Sequence, residues 1–239
     1  MKKLVVITGA SSGIGMDLAK SFSNEGHPVL MIARRKEIME NLELPETISK
    51  SVDVVDYENM EKAIREAEEK YGKTDLLVNC AGVMLLGHPD TQSYEEWERM
   101  IDVNVKGILT GTKVVLKDMM ERNEGTIINI SSIAGRKTFD NHSVYCGSKF
   151  AVHAITESMR KEVSDKNVRI IVISPGVVET NLLSHTTDEE IKDNYNDWKK
   201  SIESGLDVKQ ITDCVMFAYK QPQSVCVREI VIAKTKQAD

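Results

Sequence analysis

The chain reads as an α/β protein: a single doubly wound Rossmann-type domain with a seven-stranded parallel sheet flanked by helices. Three observations predict it. Short apolar, β-branched runs alternate with stretches of helical periodicity almost from end to end, which is the rhythm of βαβ units. A glycine-rich turn, Thr8-Gly9-Ala10-Ser11-Ser12-Gly13-Ile14-Gly15, lies between the first apolar run and the first helical stretch. With 239 residues, 41% hydrophobic and 28% charged, the chain also has the size and composition of one globular domain, residues 1–239.

The first strand is Lys3–Thr8, carried by the uninterrupted run Leu4-Val5-Val6-Ile7. Glycines 9, 13 and 15 then remove Cβ atoms where the strand turns sharply into the helix Gly13–Asn24, so backbone N–H groups can approach a pyrophosphate at the positive helix end. Gly9, Ser11, Ser12, Gly13, Ile14 and Gly15 are therefore candidate nucleotide contacts. Apolar runs give further strands at Pro28–Ala33, Ile48–Val52, Leu76–Asn79, Thr126–Ile130, Arg169–Ile173 and Glu229–Ala233. Apolar residues at helical spacing give helices at Glu37–Asn41, Tyr57–Tyr71, Tyr94–Glu121, Val144–Ser164 and Val208–Tyr219. In such sheets ligands bind beyond the strand carboxyl ends. The polar stretch Ser184–Ser204, which holds Tyr195 and Trp198, interrupts the rhythm. It reads as a helical flap over a substrate pocket, about 182–206, or as a surface excursion packed on the body.

Composition excludes several classes. A net charge of −6, with no basic patch evident, argues against nucleic acid and anionic membranes as partners. No segment approaches the length of a membrane span, and the opening Met1-Lys2-Lys3 leads into only four apolar residues, too few for a signal peptide. Cys80, Cys146, Cys214 and Cys226 show no CxxC spacing, so no metal site and no disulfide framework is expected, and a reducing cytoplasm suits them.

About 20 residues after the glycines, where many dinucleotide folds carry an acidic residue for the adenosine ribose, this chain has Ala33-Arg34-Arg35. A guanidinium fork suits a 2′-phosphate, which a carboxylate would repel, so NADP (NADPH) is the expected cofactor, with Arg34 favoured over Arg35. Asp53 and Val54 are placed to bracket the adenine, and Asn79, Ala81 and Gly82 to let the cofactor ribose lie on backbone. Tyr145 and Lys149, four apart on a helix, project from one face, and an ammonium near a phenol lowers the phenol pKa toward neutrality. Ser132, with Ser131 as its rival, could bond a substrate carbonyl. Asn104 falls on the apolar stripe Trp97, Ile101, Ile108, Val115 and Met119, marking either a helix kink or a polar member of the site.

Thr8-Gly9-xxx-Gly13-x-Gly15, Asn79-x-Ala81-Gly82, Asn104, Ser132, Tyr145-xxx-Lys149 and Pro175-Gly176 stand in the order found in short-chain dehydrogenases/reductases, and the chain resembles that family over nearly its whole length. The resemblance implies Tyr145 as acid/base, Lys149 as ribose contact and pKa modulator, Ser132 as carbonyl polariser and Asn104 as holder of a relay water. It also implies that Pro175, Gly176, Val178 and Thr180 lie along the nicotinamide, and that the enzyme acts on CH–OH groups by hydride transfer. One position departs from the family pattern: Cys80 replaces a second asparagine, a thiol being a much weaker hydrogen-bonding group.

The ending Arg228–Gln237 lacks a Val-Asp-Gly-Gly-like segment and resembles the branch of NADP-dependent 3-hydroxy acid and serine dehydrogenases with their broad carbonyl-reductase relatives. A small 3-hydroxy acid, or its semialdehyde or keto form, leads the expected substrates; a broad ketone or aldehyde reductase and a 3-oxoacyl thioester reductase are the alternatives. Arg136 and Lys137 are candidate carboxylate partners, with His142 and His185 as further donors, while Met84, Leu85, Phe139, Leu182 and Leu183 are candidates for an apolar pocket. A non-catalytic NADP sensor would have no use for Ser132, Tyr145 and Lys149 together. Family resemblance further implies a homotetramer built on the helices Tyr94–Glu121 and Val144–Ser164.

Overall fold

The structure, a computed structural model, describes residues 2–238. Seven strands, β1 (Leu4–Thr8), β2 (Val29–Ala33), β3 (Thr47–Ser51), β4 (Thr74–Asn79), β5 (Gly125–Ile130), β6 (Val168–Pro175) and β7 (Glu229–Ile232), form one parallel sheet in the order β3-β2-β1-β4-β5-β6-β7. Strands β1, β2, β4, β5 and β6 are buried on both faces, which is why they read as continuous apolar runs. Chain order reverses between β1 and β4, so the loops there diverge and leave a crevice at the strand carboxyl ends.

Helices cover both faces. On one side α1 (Gly13–Asn24) and α8 (Val208–Lys220) bury Leu18, Phe22, Ile211 and Val215 against the sheet. On the other, α3 (Tyr57–Tyr71) and α5 (Gly107–Glu121) bury Met60, Ile64, Val115 and Met119. A short α2 (Lys36–Glu40) follows β2, and α6 (Ser143–Glu162) follows β5. Buried amides tie the layers: Asn79 Nδ2 donates to Asn129 Oδ1 at 2.9 Å, and Asn129 Nδ2 donates to Thr156 Oγ1 at 2.9 Å, joining β4, β5 and α6.

The single helix expected at Tyr94–Glu121 is broken. An α4 (Tyr94–Ile101) passes into a π-helical turn, Asp102–Lys106, and only then into α5. Such a turn admits one extra residue into the helix and re-aims the turns beyond it. Gly107 leaves that turn packed against the loop after β3, where a Cβ would lie 2.7 Å from Val54 Cγ2.

The polar excursion begins five residues beyond β6 at Thr180, whose hydroxyl accepts from Leu182 N–H and caps a 3₁₀ turn, Asn181–His185. Asp188 then caps α7 (Glu189–Ser201), which has no buried residue. A closed base holds the excursion: Leu206 N–H donates to Val177 O and Glu179 N–H to Leu206 O, both at 2.8 Å. The Glu179 carboxylate accepts from Gly205 N–H at 2.6 Å and from Lys199 Nζ at 3.0 Å.

Candidate active site

A cleft of about 840 Å³ opens at the strand carboxyl ends, over the β1–β4 reversal. The glycine turn forms its floor. Gly9 has φ +69°, and a Cβ there would come within 2.9 Å of Ala81 backbone, so this position needs glycine both for its conformation and for the close approach of the β4 loop. A Cβ on Gly15 would meet Gly9 O at 2.5 Å, which keeps the turn tight against α1. Thr8 Oγ1 stitches the two loops together by accepting from Cys80 N–H at 3.0 Å and Ala81 N–H at 3.2 Å. The floor thus presents backbone rather than side chains to an anion at the start of α1.

Tyr145, Lys149 and Ser132 meet at the other end of the cleft. The first two are buried on one face of α6, and Ser132, two residues beyond β5, stands near enough to the Tyr145 phenol to act on its pKa. Ser132 Oγ also accepts Ala134 N–H at 3.1 Å, which fixes its direction. Its rival Ser131 faces inward: it is buried and its hydroxyl donates to Lys149 O. Lys149 Nζ donates to Ile130 O at 3.1 Å and lies 5.7 Å from the centroid of the Tyr145 ring.

Electrostatics at this group run against the simple expectation for a phenol beside an ammonium. Burial pushes the Tyr145 phenol up from its ordinary value; the Ser132 hydroxyl opposes this, and Tyr195 and Cys146 add to it. Burial brings Lys149 down to about 8, against a small opposing effect of Cys80. In this state the phenol holds its proton, as a proton donor requires. The Cys80 thiol is pushed up to about 12 by burial and is therefore inert as a nucleophile.

Asn104 lies within the π turn, buried, with every polar atom of its amide engaged. Oδ1 accepts Val83 N–H at 2.9 Å, while Nδ2 donates to Val83 O at 2.9 Å and Ser148 Oγ at 3.0 Å. The residue sits at the break in the helix, as the kink reading expects, and clamps the β4 loop against α6. A Cβ on Gly82 would stand 3.4 Å from Asn104 Oδ1 and 3.8 Å from Lys149 Nζ, so the amide and the ammonium flank one small space.

The short chain dehydrogenase family model matches residues 3–191. The chain belongs to the short-chain dehydrogenase family. An uncharacterized oxidoreductase of Staphylococcus saprophyticus is 35% identical over 242 residues, 99% of this chain and 97% of that one. Glycine betaine reductase of Emericella nidulans is 37% identical over 238 residues, 96% of this chain but 18% of that protein's length. Among solved structures, the closed form of a serine dehydrogenase complexed with NADP+ superposes with a TM-score of 0.90 at 28% identity, covering 99% of this chain and 96% of that one.

Within this dehydrogenase fold most of the expected residues converge. Gly9, Ser11, Ser12, Gly13, Ile14, Gly15, Arg34, Arg35, Asp53, Val54, Ala81, Gly82, Ser132, Tyr145, Lys149, Pro175, Gly176, Val178 and Thr180 all line the one cleft. Asn79 does not: its amide is turned into the sheet and tied to Asn129, so the ribose-contact expectation passes to Ala81 and Gly82. Asn104 is likewise behind the cleft wall rather than on it. Of the two arginines, Arg35 is the one joined to the glycine turn, donating to Ser11 Oγ at 3.1 Å. Arg136 and Lys137 do not line the cleft: Arg136 pairs with Glu229 at 2.5 Å, and Lys137 lies over the Phe139 ring at 5.2 Å. An aromatic wall faces Tyr145 instead, with His142 6.2 Å from both Tyr145 and Tyr195, and Tyr195 5.3 Å from Trp198.

Gln237, Arg99 and Ile191 are among the lining residues that sequence reasoning missed. Gln237, in the tail after β7, is buried and accepts Val177 N–H through Oε1 at 3.1 Å, bracing the segment expected along the nicotinamide. A Cβ on Gly176 would strike that same oxygen at 2.3 Å. Nothing local in the sequence marks a lone tail glutamine. Arg99 and Ile191 reach the cleft from α4 and α7, where their spacing reads as ordinary helix surface. Among the described residues no cluster of three or more His, Cys, Asp or Glu is arranged to hold a metal ion, and no helix is long and apolar enough to cross a membrane.

Proposed function

We propose that this protein is an NADP-dependent oxidoreductase that interconverts a carbonyl and an alcohol, with Tyr145 as acid/base. The observation that carries the reading is the meeting of Ser132, Tyr145 and Lys149 in the same cleft as the glycine turn and the Arg34–Arg35 pair. The residues fit the cofactor: a backbone cradle too tight for a Cβ at Gly9 suits a pyrophosphate, and two guanidinium groups suit a 2′-phosphate. When bound, the nicotinamide supplies or receives hydride at C4. Tyr145 gives its hydroxyl proton to the substrate oxygen in reduction and takes it back in oxidation, while the Ser132 hydroxyl orients and polarises that oxygen. Lys149 contacts the nicotinamide ribose and, being near 8, exchanges its proton close to working pH. The space at Gly82 between Asn104 and Lys149 holds the relay water. Pro175, Gly176, Val178 and Thr180 position the nicotinamide, with Asp53 and Val54 at the adenine.

A small 3-hydroxy acid or its semialdehyde is the leading substrate class, supported by the likeness to the serine dehydrogenase structure. A second reading, a broad aldehyde or ketone reductase, is favoured by the aromatic wall and by the pairing of Arg136 with Glu229. Assembly as a homotetramer is supported by exposed large apolar side chains, Ile101, Leu109 and Phe150 on α4, α5 and α6, and Phe217, Val225 and Val231 on and near α8 and β7. A cytoplasmic setting suits the four unpaired thiols.

The test is NADPH and NADH consumption over small semialdehydes, 3-keto acids, neutral aldehydes and diketones, and an acyl thioester. NADPH should be used faster than NADH; equal rates would sink the cofactor assignment. Tyr145→Phe should lower turnover about a hundred- to ten-thousand-fold while NADPH binding persists, and retained turnover would overturn the mechanism.

A further inference from the structure

Arg34, Arg35, Arg99 and His185 come from three separate parts of the chain and line the same cleft. The first two follow β2, Arg99 lies in the last turn of α4, and His185 ends the 3₁₀ turn of the flap. Among the described residues none of these three arginines forms an ion pair, whereas Arg65, Arg136 and Arg160 each hold a carboxylate. Guanidinium groups without ion pairs that line one cleft, in a chain of net charge −6, set up a local field that favours an anion. Asp53, the acidic residue near the expected adenine position, has a carboxylate oxygen occupied by Val55 N–H.

His185 supplies an independent observation. Its Nδ1 is shielded from solvent and has no hydrogen-bond partner among the described residues. An orphaned ring nitrogen of this kind is destabilising unless a partner arrives. Burial, then Arg99, Arg34 and Arg35, press its pKa below the ordinary value, so the three arginines surround it electrostatically. Two threonines hold it there: Thr186 Oγ1 accepts Leu86 N–H at 3.2 Å and donates to Met84 O at 3.3 Å, while Thr187 Oγ1 donates to Glu96 of α4 at 2.7 Å.

We infer that the flap closes on the adenosine 2′-phosphate as well as on the substrate, with His185 and Arg99 completing a clamp begun by Arg34 and Arg35. The inference rests on the NADP reading above. A phosphate dianion at this rim offsets the arginine field, so the ring gains a proton, and a shift of the flap that uncovers Nδ1 lets it donate to the phosphate while Thr187 keeps the segment on α4. Because α7 carries Tyr195 and Trp198 to the wall facing Tyr145, the phosphate helps assemble the substrate side of the cleft, which NADH would leave looser.

The experiment compares adenosine 2′,5′-bisphosphate with adenosine 5′-monophosphate on the full chain, by calorimetric titration and by trypsin cleavage at the flap lysines Lys192 and Lys199. The bisphosphate should bind more tightly and slow flap cleavage; the monophosphate should not slow it. His185→Ala and Arg99→Ala should each weaken bisphosphate binding about tenfold and leave monophosphate binding within about twofold, with His185→Lys restoring most of the loss. Equal weakening for both nucleotides, or none for either, would overturn the clamp. If the unaltered protein binds the two equally and NADPH no better than NADH, the cofactor reading falls and the clamp falls with it. A bisphosphate and NADPH preference that survives both alanine substitutions overturns the clamp alone.

Discussion

At the scale of single residues, Lys149 shows how function strains the fold. It is buried beside Tyr145 and brought down to about 8 from 10.5. Below pH 8 folded and unfolded chains are both protonated there and the burial penalty is full. From about 8 to 10.5 only the unfolded chain keeps the proton, so the penalty fades as pH rises. Lys149→Met should therefore stabilise the ligand-free protein at pH 7 by up to about 3 kcal/mol, less the lost bond to Ile130 O, and the advantage should shrink between pH 8 and 10.5. Denaturant midpoints across that range check it; a pH-independent difference would refute it. Tyr145, Lys149 and Ser132 were legible because their spacing places them on one helix face and one strand end. Asn79 was not, because at a strand terminus sequence does not say whether an amide turns toward a cleft or into the sheet.

Among the elements, the helix break over Asp102–Lys106 was hidden by its own neighbours, since the apolar stripe through Ile101 and Ile108 continues on both sides. Only Asn104, a polar residue on that stripe, hinted at it. The strands were legible in kind but not to the residue: β1, β2 and β7 are each one residue shorter than expected, whereas β4 begins at Thr74 and β6 runs on to Pro175, because ladder pairing with Leu4 and Ile232 recruits residues that carry no apolar signal. Gly107→Ala tests the coupling between the break and the adenine side. The added methyl would overlap Val54, so a stability loss of about 1–3 kcal/mol is expected together with weaker NADPH binding. Unfolding and titration of the same variant measure both; unchanged affinity would separate the two elements.

Over the whole molecule, alternation of elements foretold the parallel sheet and the position of its crevice, but not the flap's latches through Thr186 and Thr187 or the brace from Gln237, which are long-range contacts with no local period. The exposed apolar side chains belong to this scale too. Phe150 is 41% exposed on α6, and Phe150→Glu should shift the particle toward smaller species in light scattering after gel filtration, with little change in helix content. A sole 26.8 kDa species from the unaltered protein would dismiss the tetramer outright. The π-helical turn, finally, has a bearing on engineering. A chain shortened by one residue there could run as a regular helix with a better backbone ladder, while everything beyond it rotates and the Asn104 clamp is lost. A laboratory selection for heat tolerance alone would then reward that deletion and return a hardier protein with no activity, so any such selection on this fold has to be paired with turnover.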